Sequence, residues 1–278
     1  MSRAGTSSDC VRMSGLRITS PDRVLVEGVS LTLTPGTLTA LVGSSGSGKT
    51  LTTRALLGMV DFRPGVVAAE LTVTVDGVEH HPYKTPTKRR AIERAFRPLR
   101  GGVLGYLPQD ARGSLDPLRR VGKQVAACLT LAGAAAAPTR LLQRAGFPDP
   151  ERIAELYPHE LSGGMAQRAS IAMALARGSR FLLADEPTTG LDPTVQEGIL
   201  KELVAMVAAG VGVLLITHDL RLLPKIADRV LVMSGGRLVE DLPGAEMLQM
   251  RSEPGRALLT ATARVAGGTL GELQAGGA

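Results

Sequence analysis

Eight consecutive residues combine glycines with a closing Lys-Thr pair: Gly43-Ser44-Ser45-Gly46-Ser47-Gly48-Lys49-Thr50. This order fits the pattern G-x-x-x-x-G-K-[ST], in which the backbone N–H groups of a loop surround phosphate oxygens. Lys49 would meet the β- and γ-phosphates of a nucleotide, and Thr50 would offer a hydroxyl to Mg²⁺. The loop lies between a strand-like run and helical spacing, which is the context that phosphate binding requires. Alone, it leaves kinases, GTPases and motor ATPases open.

Two adjacent carboxylates, Asp185 and Glu186, end the apolar run Phe181-Leu182-Leu183-Ala184. Acidic residues at the carboxyl end of a buried strand lie where α/β sheets bind ligands. Asp185 can hold hydrated Mg²⁺, and Glu186 can polarise an attacking water. An isolated Asp-Glu pair would favour a plain polar turn. Together with the phosphate loop, the pair predicts nucleotide hydrolysis.

The segment Leu161-Ser162-Gly163-Gly164-Met165-Ala166-Gln167-Arg168 resembles the signature motif of the ABC ATPases. Further motifs of that family occur in its order: Walker A at 43–50, the Q-loop at Gln109, Walker B at 181–186, the D-loop at Leu191-Asp192 and the switch histidine His218. The resemblance covers roughly residues 16–265. It implies an α/β fold, a P-loop (RecA-like) ABC ATPase core with an inserted helical subdomain and an N-terminal antiparallel β subdomain.

The resemblance also implies a role for each motif. Gln109 would reach Mg²⁺ and the attacking water while its loop touches membrane subunits, and His218 would contact the γ-phosphate. Residues 162–164 would bind the γ-phosphate of ATP held by a second ATPase subunit, docked head to tail, and Asp192 would contact that subunit. Anion binding at 162–164 also has a physical reason, because the first N–H groups of a helix lack intrahelical partners.

Two further segments are similar to the peptide and nickel importers: Tyr157-Pro158-His159-Glu160, and the run from Gln109 to Pro117. This branch implies two membrane permease subunits, an extracytoplasmic substrate-binding protein and two ATPase subunits at the cytoplasmic face of the cell membrane. Many peptide-importing relatives end in a cysteine-rich extension, whereas the last cysteine here is Cys128. That difference, and the nickel-like run 26–33, lead us to expect a nickel or metal-chelate cargo over a peptide.

The same residues bear on other functional classes. A GTPase needs an Asn in its guanine-reading motif, and the chain contains no Asn. Soluble ABC proteins that act on nucleic acid or ribosomes typically fuse two ATPase domains or carry zinc or coiled-coil insertions, and the single motif set here argues against them. We therefore expect no nucleic-acid partner. An exporter ATPase remains an alternative.

The family usually stacks the adenine on an aromatic residue before the phosphate loop, but the first aromatic residue of this chain is Phe62. By register, the position falls near Ser20-Pro21, followed by Asp22 and Arg23. A guanidinium can lie flat on a base, so Arg23 is predicted to replace the aromatic platform. An exposed arginine in a solvated loop is an equally good interpretation.

Composition limits where the protein can act. The chain has 278 residues, of which 44% are hydrophobic, and its formal net charge is +6. Its longest aliphatic runs are strand-length, well below the roughly 20 apolar residues of a spanning helix. The start of the chain lacks the apolar stretch of a secretory signal, so we expect a cytosolic protein.

The pattern along the chain predicts a domain organisation. We expect an N-terminal tail at 1–14, an ABC ATP-binding domain at 15–266 with a helical subdomain at about 110–177, and a flexible tail at 267–278. The stretch 84–100 is rich in arginine and lysine. A solvated surface is its preferred interpretation, with lipid headgroups or an acidic partner as alternatives.

Overall fold

A computed structural model of the chain describes residues 9–84 and 89–265. The strands are β1 (Cys10–Thr19), β2 (Val24–Leu33), β3 (Leu38–Val42), β4 (Gly65–Val75), β5 (Val78–His80), β6 (Leu104–Leu107), β7 (Phe181–Asp185), β8 (Gly212–Ile216), β9 (Arg229–Ser234) and β10 (Arg237–Pro243). The helices are α1 (Lys49–Leu56), α2 (Arg89–Phe96), α3 (Ala111–Ser114), α4 (Val121–Leu131), α5 (Pro138–Arg144), α6 (Pro150–Glu155), α7 (Gly163–Arg177), α8 (Pro193–Ala208), α9 (Leu223–Ile226) and α10 (Glu253–Val265), with 3-10 turns at Pro158–Glu160 and Gly244–Gln249. These elements form two compact units, one of residues up to 98 and from 212 onward, the other of residues 99–211.

The first unit contains an antiparallel sheet in the order β2-β1-β4-β5, as predicted for the N-terminal subdomain. It also contains β3 paired in parallel with β8 and β9, and β10 paired antiparallel with β9. Every residue of β3 and β8 is buried, as is typical of parallel strands covered on both faces. The phosphate loop therefore starts from a fixed, buried strand.

Strand β1 was missed in the sequence and crosses the predicted boundary between residues 14 and 15. Val11 and Met13 are buried on one side of Gly15, and Leu16 and Ile18 on the other. The register shifts between Met13 and Leu16, where Gly15 has φ 61°. This bulge moves the buried positions from odd to even numbers, which hides the alternation typical of a strand. Residues 10–14 are therefore strand, and the expected tail is wrong for them.

The second unit holds β6 and β7, which pair in parallel, and the helices α3 to α8. All residues of β7 are buried. Helix α7 packs on α3, α4 and α5, so it is the central helix of this unit. The stretch predicted as a helical subdomain, about 110–177, contains α3 to α7. The domain limits themselves stay predictions, and the predicted tail at 267–278 lies outside the described residues.

Across residues 9–84 and 89–265, none of the helices has both the length and the apolar character needed to span a membrane.

Candidate functional site

The phosphate-loop residues connect the end of β3 to the start of α1. Two glycines in it lie close to β9. A Cβ at Gly43 would lie 2.2 Å from the carbonyl oxygen of Met233, and one at Gly48 would lie 2.8 Å from the Cε of Met233. Gly48 also has φ 106°, a left-handed conformation that favours glycine. Gly43 is therefore required by the close approach of the β9 backbone, and Gly48 mainly by its left-handed conformation.

Lys49 is the first residue of α1 and is only 6% exposed. Its Nζ donates hydrogen bonds to the carbonyl oxygens of Gly43 and Ser44, at 2.8 and 2.9 Å. A buried ammonium needs such partners, and here the loop itself provides them. The positive charge is thus held within the loop. Thr50 follows in the first turn of α1 and is partly exposed.

The remaining loop residues differ in exposure. Ser44, Ser45 and Gly46 are exposed at the surface, whereas Ser47 is buried. The Ser47 amide donates to the Ser44 carbonyl at 3.2 Å, which closes the turn. The Ser47 carbonyl accepts from the Gly236 amide at 3.1 Å, which ties the loop to the turn between β9 and β10. The exposed residues form the open side of a loop whose base is fixed.

Asp185 is the last residue of β7 and is 1% exposed. The hydroxyl of Tyr106 on β6 donates to Asp185 Oδ2 at 3.3 Å. A buried carboxylate without such donors would be costly to keep ionised. Tyr106 was not singled out in the sequence. The available signal was a hydroxyl-bearing residue near the end of the strand that precedes Gln109.

Glu186 has φ 47°, which turns the backbone sharply after β7. Its Oε2 accepts hydrogen bonds from Gln109 Nε2 at 3.3 Å and from Thr189 Oγ1 at 2.9 Å. The structure thus brings together Gln109 and Glu186, which the sequence places 77 residues apart. Thr189 was missed, although a hydroxyl three residues after an acidic residue is a common local hydrogen-bond donor.

The signature segment forms the beginning of α7, as predicted. Ser162 is the N-cap, and its Oγ accepts from the Met165 amide at 3.2 Å. Gly163 and Gly164 are the first two residues of the helix, where backbone N–H groups have no intrahelical acceptor. Ser162 and Gly163 are exposed. This helix start can bind an anion through its hydroxyl and N–H groups.

Asp192 has a local structural role that the sequence analysis did not assign. It is the N-cap of α8, and its Oδ1 accepts from the Val195 amide at 3.0 Å. The side chain is exposed, so contact with a second subunit remains sterically open. The hydrogen bond from the Val195 amide fixes the orientation of the Asp192 carboxylate.

His218 lies two residues beyond the end of β8 and is exposed. The next residue, Asp219, accepts two hydrogen bonds from the Arg221 guanidinium, at 2.8 and 2.6 Å. That guanidinium holds the pKa of the Asp219 carboxyl below its ordinary value. The pair therefore remains ionised around neutral pH and fixes the segment that carries His218.

Arg23 lies in an exposed turn just before β2. Its carbonyl oxygen accepts from the Ser20 amide at 2.9 Å and from the Ser20 hydroxyl at 3.2 Å. The following residues approach the phosphate loop, because a Cβ on Gly48 would lie 3.1 Å from Val26 and 3.4 Å from the Leu25 carbonyl oxygen. Arg23 thus directly precedes a strand that contacts the loop, and its side chain is exposed.

The predicted site residues fall into two sets. The first unit carries the phosphate loop, His218 and Arg23, and the second unit carries Gln109, Asp185, Glu186, Asp192 and the signature residues. Within its own unit, each set has the local geometry for its chemistry. One set presents a lysine inside a glycine-rich loop, and the other presents two hydrogen-bonded carboxylates and a helix start.

Comparison with known proteins gives one consistent result. The family model described as ABC transporter matches residues 26–189. A putative peptide import ATP-binding protein from Brucella abortus (strain 2308) is 38% identical over 238 residues, which make up 83% of this chain and 69% of that protein. The nickel import ATP-binding protein NikD from Brucella suis biovar 1 (strain 1330) is 38% identical over 238 residues, 84% of this chain and 85% of that protein.

A solved structure agrees with the fold. The dimeric post-hydrolysis state of the ATP-binding cassette MJ0796, bound to ADP and Pi, matches 84% of this chain and 98% of that chain with a TM-score of 0.68. Its sequence identity of 23% limits this likeness to the fold. The predicted fold class is confirmed.

Proposed function

This chain belongs to the ABC transporter family, and from that membership we propose that it is the ATP-binding and ATP-hydrolysing subunit of an importer. Two relatives at 38% identity are named as import ATP-binding proteins, which supports this function. The structural observation that carries it is the pair of hydrogen bonds on Glu186, from Gln109 and Thr189, at the end of a buried strand. They orient a carboxylate as a base that activates water requires.

Nucleotide binding is assigned to the loop 43–50. The residues fit a triphosphate, since Lys49 is held inside a glycine cradle at the start of a helix. Mg²⁺ binding is assigned to Thr50, Asp185 and Gln109, whose hydroxyl, carboxylate and amide oxygens are ligand types that Mg²⁺ takes. Mg²⁺, when bound, neutralises phosphate charge and stabilises the leaving group.

Hydrolysis is assigned to Glu186 and Gln109, and contact with the γ-phosphate is assigned to His218. Glu186 accepts the proton of the attacking water, and the Gln109 amide, which donates to the same carboxylate oxygen, keeps it oriented. His218 then stabilises the γ-phosphate through its ring N–H. Its exposure at the end of β8 leaves it accessible to a phosphate.

A second ATPase subunit completes the site in this proposal. The start of α7, with Ser162 as its cap, binds the γ-phosphate of ATP held by the other subunit, and Asp192 contacts that subunit. The dimeric cassette with the same fold supports this arrangement. Exposed positions of Ser162 and Asp192 are consistent with a docking surface.

The remaining partners are two membrane permease subunits and an extracytoplasmic substrate-binding protein. Import ATP-binding subunits act with membrane permeases, so we place this chain at the cytoplasmic face of the cell membrane. The loop that starts at Gln109 is the proposed coupling element. Its contact with Glu186 gives a permease movement a direct route to the base that activates water.

The class of cargo can be identified from the rate of ATP hydrolysis by the assembled transporter. We propose nickel or a metal chelate, and the NikD relative supports it, while a relative of equal identity named for peptide import makes peptide the second candidate. Nickel-loaded binding protein should raise ATP hydrolysis severalfold, because cargo release is coupled to hydrolysis. Phosphate release is measured with nickel-loaded, peptide-loaded and empty binding protein. Stimulation by peptide alone would assign the cargo to the second class.

Arg23 is proposed as the platform for the adenine. If its guanidinium stacks on the base, Arg23→Ala should weaken ATP binding about five- to tenfold, since a cation–π contact contributes roughly 1–1.5 kcal/mol. Arg23→Phe should restore or improve the affinity. Competition of ATP against a fluorescent analogue measures both. Arg12→Ala, at another exposed arginine of the same unit, is the control. Equal affinities of wild type and Arg23→Ala would reject the platform.

A further inference from the structure

Helix α2 is strongly basic. Residues 89–97 contain four arginines and one glutamate. The Arg97 amide donates to the Glu93 carbonyl at 3.0 Å, so the helical turn continues one residue beyond Phe96. All four arginines are exposed. The proposed ATPase chemistry uses none of these residues.

The apolar side of α2 is fixed to the end of α1. Phe96 is fully buried, and its ring lies edge-on to Tyr83 with centroids 5.2 Å apart. A Cβ on Gly58 would lie 2.4 Å from the Phe96 ring, so the ring occupies space that only glycine leaves open. The Tyr83 hydroxyl donates to the Ala55 carbonyl at 2.6 Å. The orientation of α2 about its own axis is therefore fixed.

The opposite side of α2 carries a row of three arginines, Arg90, Arg94 and Arg97, which we call the arginine stripe. Spacings of four and three residues place them on one face over about 10 Å of helix. The helix's glutamate, Glu93, pairs instead with Arg89 at 3.4 Å. Among residues 9–84 and 89–265, no carboxylate forms an ion pair with the stripe.

The stripe has the chemistry of a surface for phosphate-bearing anions. Neighbouring like charges on a helix repel each other, and an external anion relieves that repulsion. A guanidinium binds phosphate oxygens through two parallel N–H groups. The stripe consists of charged side chains alone, whereas the centre of a protein interface is as a rule apolar. A layer of anionic headgroups attracts such basic clusters through charge.

We propose that the arginine stripe binds the anionic phospholipid headgroups of a membrane surface. This inference rests on the proposed function, which places the subunit beside a membrane. Each arginine near an anionic surface contributes about fivefold in affinity, which corresponds to about 1 kcal/mol. The three together should contribute about 100-fold. Because the contact is electrostatic, it should weaken as salt is added.

The test compares two triple variants of the purified full chain. One neutralises the stripe as R90Q/R94Q/R97Q, and the control neutralises R12Q/R17Q/R256Q, three exposed arginines of the same unit. Both remove the same charge. Sedimentation with vesicles of equal parts phosphatidylcholine and phosphatidylglycerol measures the partition. We expect the stripe variant to lose about 100-fold and the control less than about fivefold.

The proposal would be overturned if wild type bound pure phosphatidylcholine vesicles as well as the anionic ones. It would also be overturned if the stripe variant partitioned like wild type, or if both triple variants lost the same amount of binding. If the stripe variant partitions like wild type but no longer co-purifies with permease subunits, the stripe binds an acidic protein instead of lipid. If the thermal midpoint shows that the triple variant is unfolded, Arg94→Gln alone should lose about fivefold. The vesicle partition is measured without nucleotide, so it does not depend on ATP hydrolysis. Failure of the lipid proposal can therefore be distinguished from failure of the proposed function.

Discussion

Lys49→Ala is expected to weaken ATP binding at least about 100-fold, because hydrogen bonds to a charged group contribute about 1.5–3 kcal/mol each and the lysine would donate to two phosphates. In the structure the Nζ atom already lies within the loop, bonded to the carbonyl oxygens of Gly43 and Ser44. Nothing else in the loop 43–50 carries a positive charge. Competition of ATP against a fluorescent analogue measures the loss.

A matched control distinguishes the loss of a positive charge in the phosphate loop from the loss of a positive charge elsewhere on the protein. Lys201→Ala removes an exposed lysine that pairs with Glu197 on α8, and it should leave ATP affinity unchanged. The thermal unfolding midpoint of Lys49→Ala shows whether the loop still folds when the two carbonyl groups lose their donor. ATP affinity within about threefold of wild type in a folded Lys49→Ala protein would contradict the role of Lys49.

Glu186→Gln is expected to retain ATP binding and to slow hydrolysis by about 100- to 10,000-fold, the range contributed by a general base. Glutamine keeps the shape of the side chain, and its amide oxygen can still accept from Gln109 and Thr189, as Glu186 Oε2 does. Only the basicity is lost. The ATP-bound dimer should therefore accumulate, because the γ-phosphate that is proposed to join the subunits is not removed.

Two measurements distinguish this result from a binding defect. Phosphate release in the assembled transporter gives the rate, and size-exclusion chromatography with ATP gives the dimer fraction. Glu197→Gln, at an exposed ion pair on α8, is the control and should hydrolyse ATP normally. Wild-type turnover by the Glu186→Gln protein would show that another group activates the water.

Local sequence was sufficient for the phosphate loop and the signature helix. Both are short segments whose glycine, lysine and serine positions follow directly from backbone requirements, such as the N-cap bond of Ser162. The turn between β4 and β5 was also predictable, because Asp76-Gly77 is a typical pair for a tight hairpin and both residues have positive φ.

Long-range contacts were the part that sequence could not supply. The hydrogen bond from Tyr106 to Asp185 joins residues 79 positions apart, and its formation depends on the register of β6 against β7. Local reasoning also failed for β1, where the bulge at Gly15 changes which residues are buried. In both cases the decisive information lies in a pairing between strands, which no single segment records.

The left-handed backbone at Glu186 has a consequence for engineering this protein. A side chain in that conformation costs about 1 kcal/mol or more relative to glycine, so the native residue lowers the stability of its own strand end. Glycine would relieve this strain, but it would also remove the acceptor of the hydrogen bonds from Gln109 and Thr189 and, with it, the proposed base. A strained backbone at this position is therefore one that a search for heat-resistant variants should leave unchanged.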